Sequence, residues 1–522
     1  MNIPILVLLS CSSDTRKDTA QTQRTPVEDS SDNEPASNGE PAADTAPQES
    51  TSEQTQTYVS TLSSGELYTL EYAPEEVADN PFRGFLSSYS WSDPANDFPH
   101  ALEFRYLPLS SVVVDEGVYD YTNFEEILNS AQDRENHLIV RFYLDYPALA
   151  SGMPAHLAET VSCTLYEDYG GGCTPDYSDP NLLSTLLGFV DDFGLNYDGD
   201  HRLAFVQIGL LGFWGEWHTY PHTELFASDQ IQQDVITAFD EAFSTTPVQL
   251  RYPAQDSPSR DIGFHDDSFG YATIGETAWF FQPRLENAGA AQAWQTTPIG
   301  GEVYPPLQSI LFTQEYTIEA HQQDMQLCLE HTHASYLLNY FAFSGAGTGY
   351  TDLQKQEAET FALGMGYQYT IPELSIELSH LDDQAVDVHL SIVLINKGSA
   401  PSYHPMTLNL LWNDEVHELV ELQNLLPEES HSVDFSASKI PVPVAQTPFE
   451  LFISSPLALP GQQIKLANQN SPAGTLLIHH PVFCDYGGEP IDLGATVELE
   501  EHRCTCDVDG ELYTVDLEPC TR

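Results

Sequence analysis

From residue 80 to about residue 367 the chain repeats one rhythm, short apolar runs separated by longer amphipathic stretches, and no other feature narrows the possible folds as much. Short apolar runs bounded by turn residues read as strands buried on both faces, and the stretches between them read as helices with one apolar side. Such alternation implies a parallel sheet, since parallel neighbours need a crossover long enough to hold a helix. The expected strands are Phe82 to Tyr89, Phe104 to Ser110, His137 to Leu144, Leu203 to Leu210, Val248 to Tyr252, Ile262 to His265, Pro298 to Glu302 and Ala334 to Tyr340. Helices are expected over Asn123 to Arg134, Pro180 to Phe193 and Ser228 to Phe243, the last opening on Ser-Asp capping chemistry. This strand count predicts a closed (β/α)8 barrel of the TIM type. An open doubly wound sheet is the alternative, but the Gly-rich phosphate turn that usually follows its first strand is missing.

The rhythm changes on either side of this region. After residue 368 it becomes the period-two alternation of Glu373-Leu374-Ser375-Ile376-Glu377-Leu378 and Val386-Asp387-Val388-His389-Leu390-Ser391-Ile392, which predicts an antiparallel β-sandwich over residues 368–482. Residues 483–522 hold Cys484, Cys504, Cys506 and Cys520 and read as a small disulfide-stapled module, with short strands expected at Val497 to Glu501 and Glu511 to Val515. At the other end a short apolar run closes on Leu8-Leu9-Ser10-Cys11, which looks like a bacterial lipobox over residues 1–11. Such a signal is removed and leaves a lipidated Cys11, so membrane contact is expected only through that N-terminal anchor. Residues 12–62 carry hardly a large apolar side chain and read as a disordered acidic linker ahead of a barrel domain at 63–367. The chain is therefore expected to be exported and anchored at a bacterial cell envelope.

Export permits disulfides. Cys163 and Cys173 flank Gly170-Gly171-Gly172 and are expected to close that loop. The four C-terminal cysteines can pair in any of three ways, and Cys328 is left as a buried thiol. Lys and Arg total 17 against 79 Asp and Glu, a formal charge of -62, so phosphate backbones and anionic lipid surfaces are repelled and no nucleic-acid partner is expected.

In a (β/α)8 barrel the side chains at the C-terminal ends of the strands line the active face. The strongest constellation there is Gln207-Ile208-Gly209-Leu210-Leu211-Gly212-Phe213-Trp214-Gly215-Glu216-Trp217-His218, a strand running into Gly-rich backbone and a carboxylate between two tryptophans. Small residues let a ligand approach, tryptophans offer flat faces to a sugar ring, and aromatic walls would raise the pKa of Glu216 as a general acid requires. The plainer possibility is that Glu216 simply pairs with Arg141 or Arg251. Glu302, after the diglycine of Ile299-Gly300-Gly301, is the second carboxylate, and retaining glycosidases draw such a pair from strands four and seven in many barrels.

Further candidates for substrate contact are Arg83, then Arg141 with Tyr143 and Asp145 after strand three, and Arg251 with Tyr252 after strand five. His265-Asp266-Asp267 after strand six, and His333 with Tyr336 and Asn339 near strand eight, complete the set. His218, His222, His265, Asp266, Asp267 and His333 could converge on a metal, but no HExxH or paired-cysteine zinc spacing occurs, so no metal or other cofactor is expected. The nucleophile elbow and P-loop motifs are absent as well.

Asn80 to Phe85, Tyr197-Asp198-Gly199-Asp200 leading into Gly212 to His218, and Gly300-Gly301-Glu302 together resemble a family of secreted bacterial proteins carrying the domains of unknown function numbered 4874 and 4832. The resemblance covers roughly residues 75–365 and implies a glycosidase-like barrel followed by a β domain. Clan A glycosidases usually carry Asn-Glu at the acid/base position, where this chain has Gly215-Glu216. The expectation is thus a cell-surface glycoside hydrolase acting on poly- or oligosaccharide, with Glu216 as acid/base, Glu302 as nucleophile, and Trp214, Trp217, His218 and tyrosines as the sugar platform. The alternative is a non-catalytic glycan-binding or adhesion lipoprotein on the same barrel.

Overall fold

The computed structural model describes residues 67–90, 98–313, 323–345, 348–382, 385–441, 448–469 and 474–478, with the backbone of five short strands beyond them. The predicted lipobox, its Cys11 and the linker lie outside the described residues, as do Cys520 and the side chains of the other C-terminal cysteines.

Eight parallel strands close into a barrel: β1 (Gly84–Ser88), β2 (Leu102–Pro108), β3 (His137–Tyr143), β4 (Leu203–Gln207), β5 (Val248–Leu250), β6 (Ile262–Phe269), β7 (Ile299–Val303) and β8 (Tyr336–Leu338). Each contains or overlaps an apolar run picked out by its sequence. Every residue of β3 and β4 is buried, which is why these strands read as continuous rather than alternating hydrophobic runs. Strand β6 continues past His265 to Phe269, with a register irregularity between Asp266 and Phe269 that no apolar pattern announces.

Helices α1 (Thr122–Gln132), α2 (Pro180–Tyr197), α3 (Asp229–Ala242), α4 (Phe281–Asn287), α5 (Met325–Thr332) and α6 (Asp352–Gly364) fill most of the connections. Asp179 caps α2 by accepting from the amides of Asn181 and Leu182, a contact worth about 1 kcal/mol. Ser228 occupies the corresponding position of α3, but its hydroxyl makes no capping bond, so the capping chemistry expected there is not formed.

The chain reaches the barrel through its other domain. Residues Leu67–Thr69, which the sequence placed with the barrel, pair with the long strand Tyr369–Asp382. That sheet continues through Ala385–Asn396 to Ser430–Pro441, and a second sheet orders Glu415–Glu421, Thr407–Trp412, Phe449–Ser454 and Leu476–Ile478. Together they make the β-sandwich. Its core runs without a break into the lower interior of the barrel, through Phe82, Leu86, Phe104, Phe205 and Tyr336. His404 is the plug: its ring stacks on Phe82 with centroids 3.8 Å apart and its Nε2 donates to the carbonyl of Ala204 at 2.9 Å. Beyond the sandwich, Phe483–Tyr486 pairs with Glu489–Asp492, and Arg503–Cys506 lies between Thr496–Glu498 and Leu512–Thr514.

Candidate active site

The sandwich closes the N-terminal end of the barrel, so chemistry is left to the C-terminal mouth. Arg141 on β3 is the hub. Its Nε donates to Gln207 Oε1 on β4 at 2.8 Å, its Nη2 to Asp267 Oδ2 on β6 at 2.8 Å, and its Nη1 to the Tyr106 hydroxyl on β2 at 3.2 Å. The same Nη1 lies 3.4 Å from Glu216 Oε1. Gly209 and Gly215 make this possible. A Cβ on Gly209 would stand 2.1 Å from the Phe142 carbonyl oxygen and 2.9 Å from Arg141 Cγ, and Gly215, at φ +69°, lies alongside the same stem. The small residues of this segment thus make room for an arginine rather than for a ligand.

Arg251, just past β5, is the second cation. Its Nε lies 3.4 Å from Asp267 Oδ2 and 3.9 Å from Glu216 Oε2, and its Nη1 lies 3.4 Å from Asp266 Oδ1. His218 adds a ring nitrogen 3.6 Å from Glu216 Oε2. Glu216, with 15% of its side chain exposed, is therefore faced by two guanidiniums and an imidazole rather than walled by two tryptophans. The simple pairing with Arg141 or Arg251 is present, with both arginines at once.

Asp267 is the carboxylate that the sequence undervalued. Burial alone would push it up, but Arg141, His265 and Arg251 outweigh burial and hold it well below the usual range. Its Oδ1 lies 2.9 Å from His265 Nδ1. Burial keeps the His265 ring neutral, with its pKa pushed down to about 4, and its Nδ1 also lies 3.2 Å from Arg141 Nη2. His265 Nε2 is buried and makes no hydrogen bond, and Arg251 Nε likewise makes none, being held only by its ion pairs with Asp267 and Glu216. Asp266 turns aside and accepts from Thr273 Oγ1 at 2.7 Å and from the Ser268 amide at 3.0 Å.

Glu302 on β7 completes the group. Burial pushes its carboxyl well above the ordinary glutamate value, the charges of Asp267 and Glu216 push in the same direction, and Arg141 and Arg251 only partly oppose them. Gln308 donates to its Oε1 at 3.3 Å. The hydroxyl of Tyr340, just past β8, is raised by burial and by Glu302. The mouth therefore sets a carboxyl raised well above its ordinary value beside Asp267, which is held well below it, the kind of electrostatic separation that acid/base chemistry uses.

Several expected contacts lie elsewhere. Trp217 is 1% exposed and donates its indole N–H to the carbonyl of Ile208 at 2.8 Å, so it pins the loop and offers no face to a sugar. Arg83 precedes β1 and lies at the opposite end of the barrel, where it donates to the carbonyls of Val77, Leu363 and Met365. His333 ends α5, stacks on Trp294 at 3.5 Å and contacts the Ser399 carbonyl, again at the N-terminal end. With His333 there, the candidate metal set does not converge. Tyr336 is fully buried inside the barrel and bonds Gln207 and Gln249. Asn339 is buried beside Tyr350.

Asp145 spends both oxygens on Tyr166 and Thr174. The Tyr252 hydroxyl donates to the Trp217 carbonyl, and Arg284 lies over the Tyr252 ring at 3.7 Å. Tyr143, the last residue of β3, packs against Tyr146 with centroids 5.1 Å apart. Trp214 remains half-buried at the rim, 5.1 Å from Tyr169 and 5.9 Å from His218. The predicted disulfide Cys163–Cys173 is formed, and Cys328 is a free buried thiol.

No protein-family model and no curated protein matches this chain. Among solved structures it is similar to endo-glycoceramidase II from Rhodococcus sp. in a cellobiose-like imidazole complex, at 12% identity over 69% of this chain and 97% of that one, with a TM-score of 0.33. A family 39 glycoside hydrolase from the gut symbiont Bacteroides cellulosilyticus aligns at 10% identity over 71% of this chain and 82% of that one, TM-score 0.33. An α-amylase from Geobacillus thermoleovorans aligns at 10% identity over 68% and 85%, TM-score 0.25. Likenesses this weak say nothing of the chemistry at the mouth.

Proposed function

We propose that this chain is a cell-surface glycoside hydrolase acting on poly- or oligosaccharide, with Glu302 as the proton donor and Glu216 as the carboxylate that acts on the anomeric carbon or on its attacking water. The observation that carries the proposal is the pairing of the half-buried Glu302 carboxyl, pushed up by desolvation and by two nearby carboxylates, with Glu216 set between Arg141 and Arg251. This reverses the roles expected from the aromatic setting of Glu216, because Trp217 turns into the core and Glu302 is the acid whose pKa its surroundings raise. Glu302 would protonate the glycosidic oxygen as the bond to the leaving sugar breaks, while Glu216 carries the negative charge that stabilises the oxocarbenium-like centre. The Cys163–Cys173 disulfide fits an oxidising compartment, in keeping with export and a lipid at Cys11.

The test uses the full chain on a panel of aryl glycosides and polysaccharides, with Glu302→Gln and Glu216→Gln alongside. Each substitution should cost at least about a hundredfold in kcat/KM, as loss of a general acid or its partner carboxylate does. Turnover should also decline as pH rises through the Glu302 pKa, because the donor must be protonated. In the expressing cells, Cys11→Ser should leave the membrane fraction. The ion pairs that Arg141 and Arg251 make with Glu216 favour one other reading, a glycan-binding protein whose carboxylate is structural. Binding without turnover, unchanged in both glutamine variants, would establish that reading instead.

A further inference from the structure

Between β3 and α2 the chain makes a detour the barrel does not need. Cys163–Tyr166 pairs with Gly172–Pro175 as a hairpin, and the Cys163–Cys173 disulfide clamps the two strands toward its open end, away from the tip. Buried Asp145 anchors it from below, accepting from the Tyr166 hydroxyl at 2.7 Å and from Thr174 Oγ1 at 2.9 Å. At the tip, Tyr169 has φ +54°. The residue it meets, Trp214, has φ +56° and takes its position from a hydrogen bond between its amide and the Asp145 carbonyl at 2.9 Å. Bulky residues avoid this conformation, which costs on the order of 1 kcal/mol or more, so surrounding structure must hold both rings in place.

What is held is a corner. The two rings lie 5.1 Å apart at 67°, both half-buried, and Trp214 is two residues from Glu216. Tyr146 adds a ring 6.4 Å from Trp214 on another side. His222 contacts Asp168 at 2.8 Å and ties the tip to the loop that follows β4.

We propose that Tyr169 and Trp214 form a sugar-binding subsite beside Glu216, and that the Cys163–Cys173 hairpin is the arm that builds it. The ligand is a pyranose ring of an oligosaccharide, whose C–H face packs on the aromatic rings as apolar surface does. Tyr169 is in this view a specificity residue, contributed by an insertion rather than by the barrel. The subsite rests on the proposed carbohydrate function, but it is read out by binding and does not require turnover.

Dissociation constants of the full chain for a panel of soluble oligosaccharides, measured by titration calorimetry, test the idea. Tyr169→Ala should weaken the best ligand about five- to tenfold, and Tyr169→Phe should restore it to within about twofold, because the ring and not the hydroxyl makes the contact. Cys163→Ser with Cys173→Ser should weaken it similarly by freeing the tip. Leu165→Ala, which alters an 81% exposed hairpin residue, should leave binding as it is. An unchanged constant for Tyr169→Ala, or a phenylalanine variant as poor as alanine, overturns the subsite while leaving hydrolysis possible. Tight binding with no turnover overturns the hydrolase and leaves the subsite standing. If no glycan on the panel binds, both fall.

Discussion

The two ends of the barrel bury the same residue types and treat them in opposite ways. At the N-terminal end, Arg83 is surrounded by neutral carbonyls, and burial lowers its pKa to about 10. His137 and His404 are held neutral there against the sandwich, with pKa values pushed down to about 4 and about 3. At the mouth, Arg141 and Arg251 face Asp267, Asp266 and Glu216. One end disposes of charge and seals, whereas the other concentrates charge and leaves it usable. A buried arginine is therefore evidence of function only when its partners are themselves charged.

The largest effect separating the two ends is the response to acid. Below the ordinary histidine pKa near 6.5, His137 and His404 gain protons in the unfolded chain but not in the folded one until the pH reaches about 4 and about 3. The unfolded state binds more protons, so stability falls as pH falls, by about 1.4 kcal/mol per unit for each ring. His265 at the mouth adds a third share of the same sign. Urea unfolding of wild type and of His137→Gln with His404→Gln should diverge by about 4 kcal/mol in all between about pH 6.5 and about pH 4.5. Parallel curves would mean that the plug is not held neutral.

Second in size is the cost of breaking each arginine's surroundings. Asp267→Asn leaves two buried guanidiniums with one carboxylate fewer between them, and should cost about 3–5 kcal/mol. Arg83→Met removes donors from the carbonyls that end α6 but also removes a buried charge, and should cost about 1–3 kcal/mol. Chemical denaturation ranks the two. If Arg83→Met proved the more damaging, charge pairing would not be what distinguishes the mouth.

The same contrast explains what could be read from the sequence. All eight barrel strands were legible because parallel strands are buried on both faces and announce themselves as apolar runs. Residues within strands or just past their C-terminal ends, Arg141, Glu216, Arg251, His265 and Glu302, are brought together at the mouth. Arg83 and His333 stand just before their strands and so fall at the sealed end, a difference of a few residues that decides which face of the barrel a side chain serves. Asp267 lay in plain view beside Asp266, but the register irregularity that turns one inward and the other toward Thr273 has no sequence signature. Trp217 was misread because a tryptophan that pins a loop and one that stacks a sugar look alike until burial is known. The direction of the Tyr169 ring was likewise invisible, although its place among three glycines and two cysteines marked an ordered loop.

The smallest predicted effect is the most useful, because its sign opposes that of the sealed end. Glu302 has its pKa raised in the folded protein by burial, Asp267 and Glu216. Above the ordinary glutamate pKa near 4.5, the unfolded chain releases this proton and the folded one keeps it, so the native state binds more protons and stability falls as pH rises. A single carboxyl can contribute at most about 1.4 kcal/mol per unit. Glu302→Gln removes that slope, so the variant should gain on wild type from pH 4.5 upward until the folded pKa is passed. Over the same range the double histidine variant should lose its advantage, giving two difference curves of opposite direction from the two ends of one barrel. Should the glutamine variant run parallel to wild type, Glu302 would be ionised in the folded protein, and the proposed hydrolase would have no proton donor.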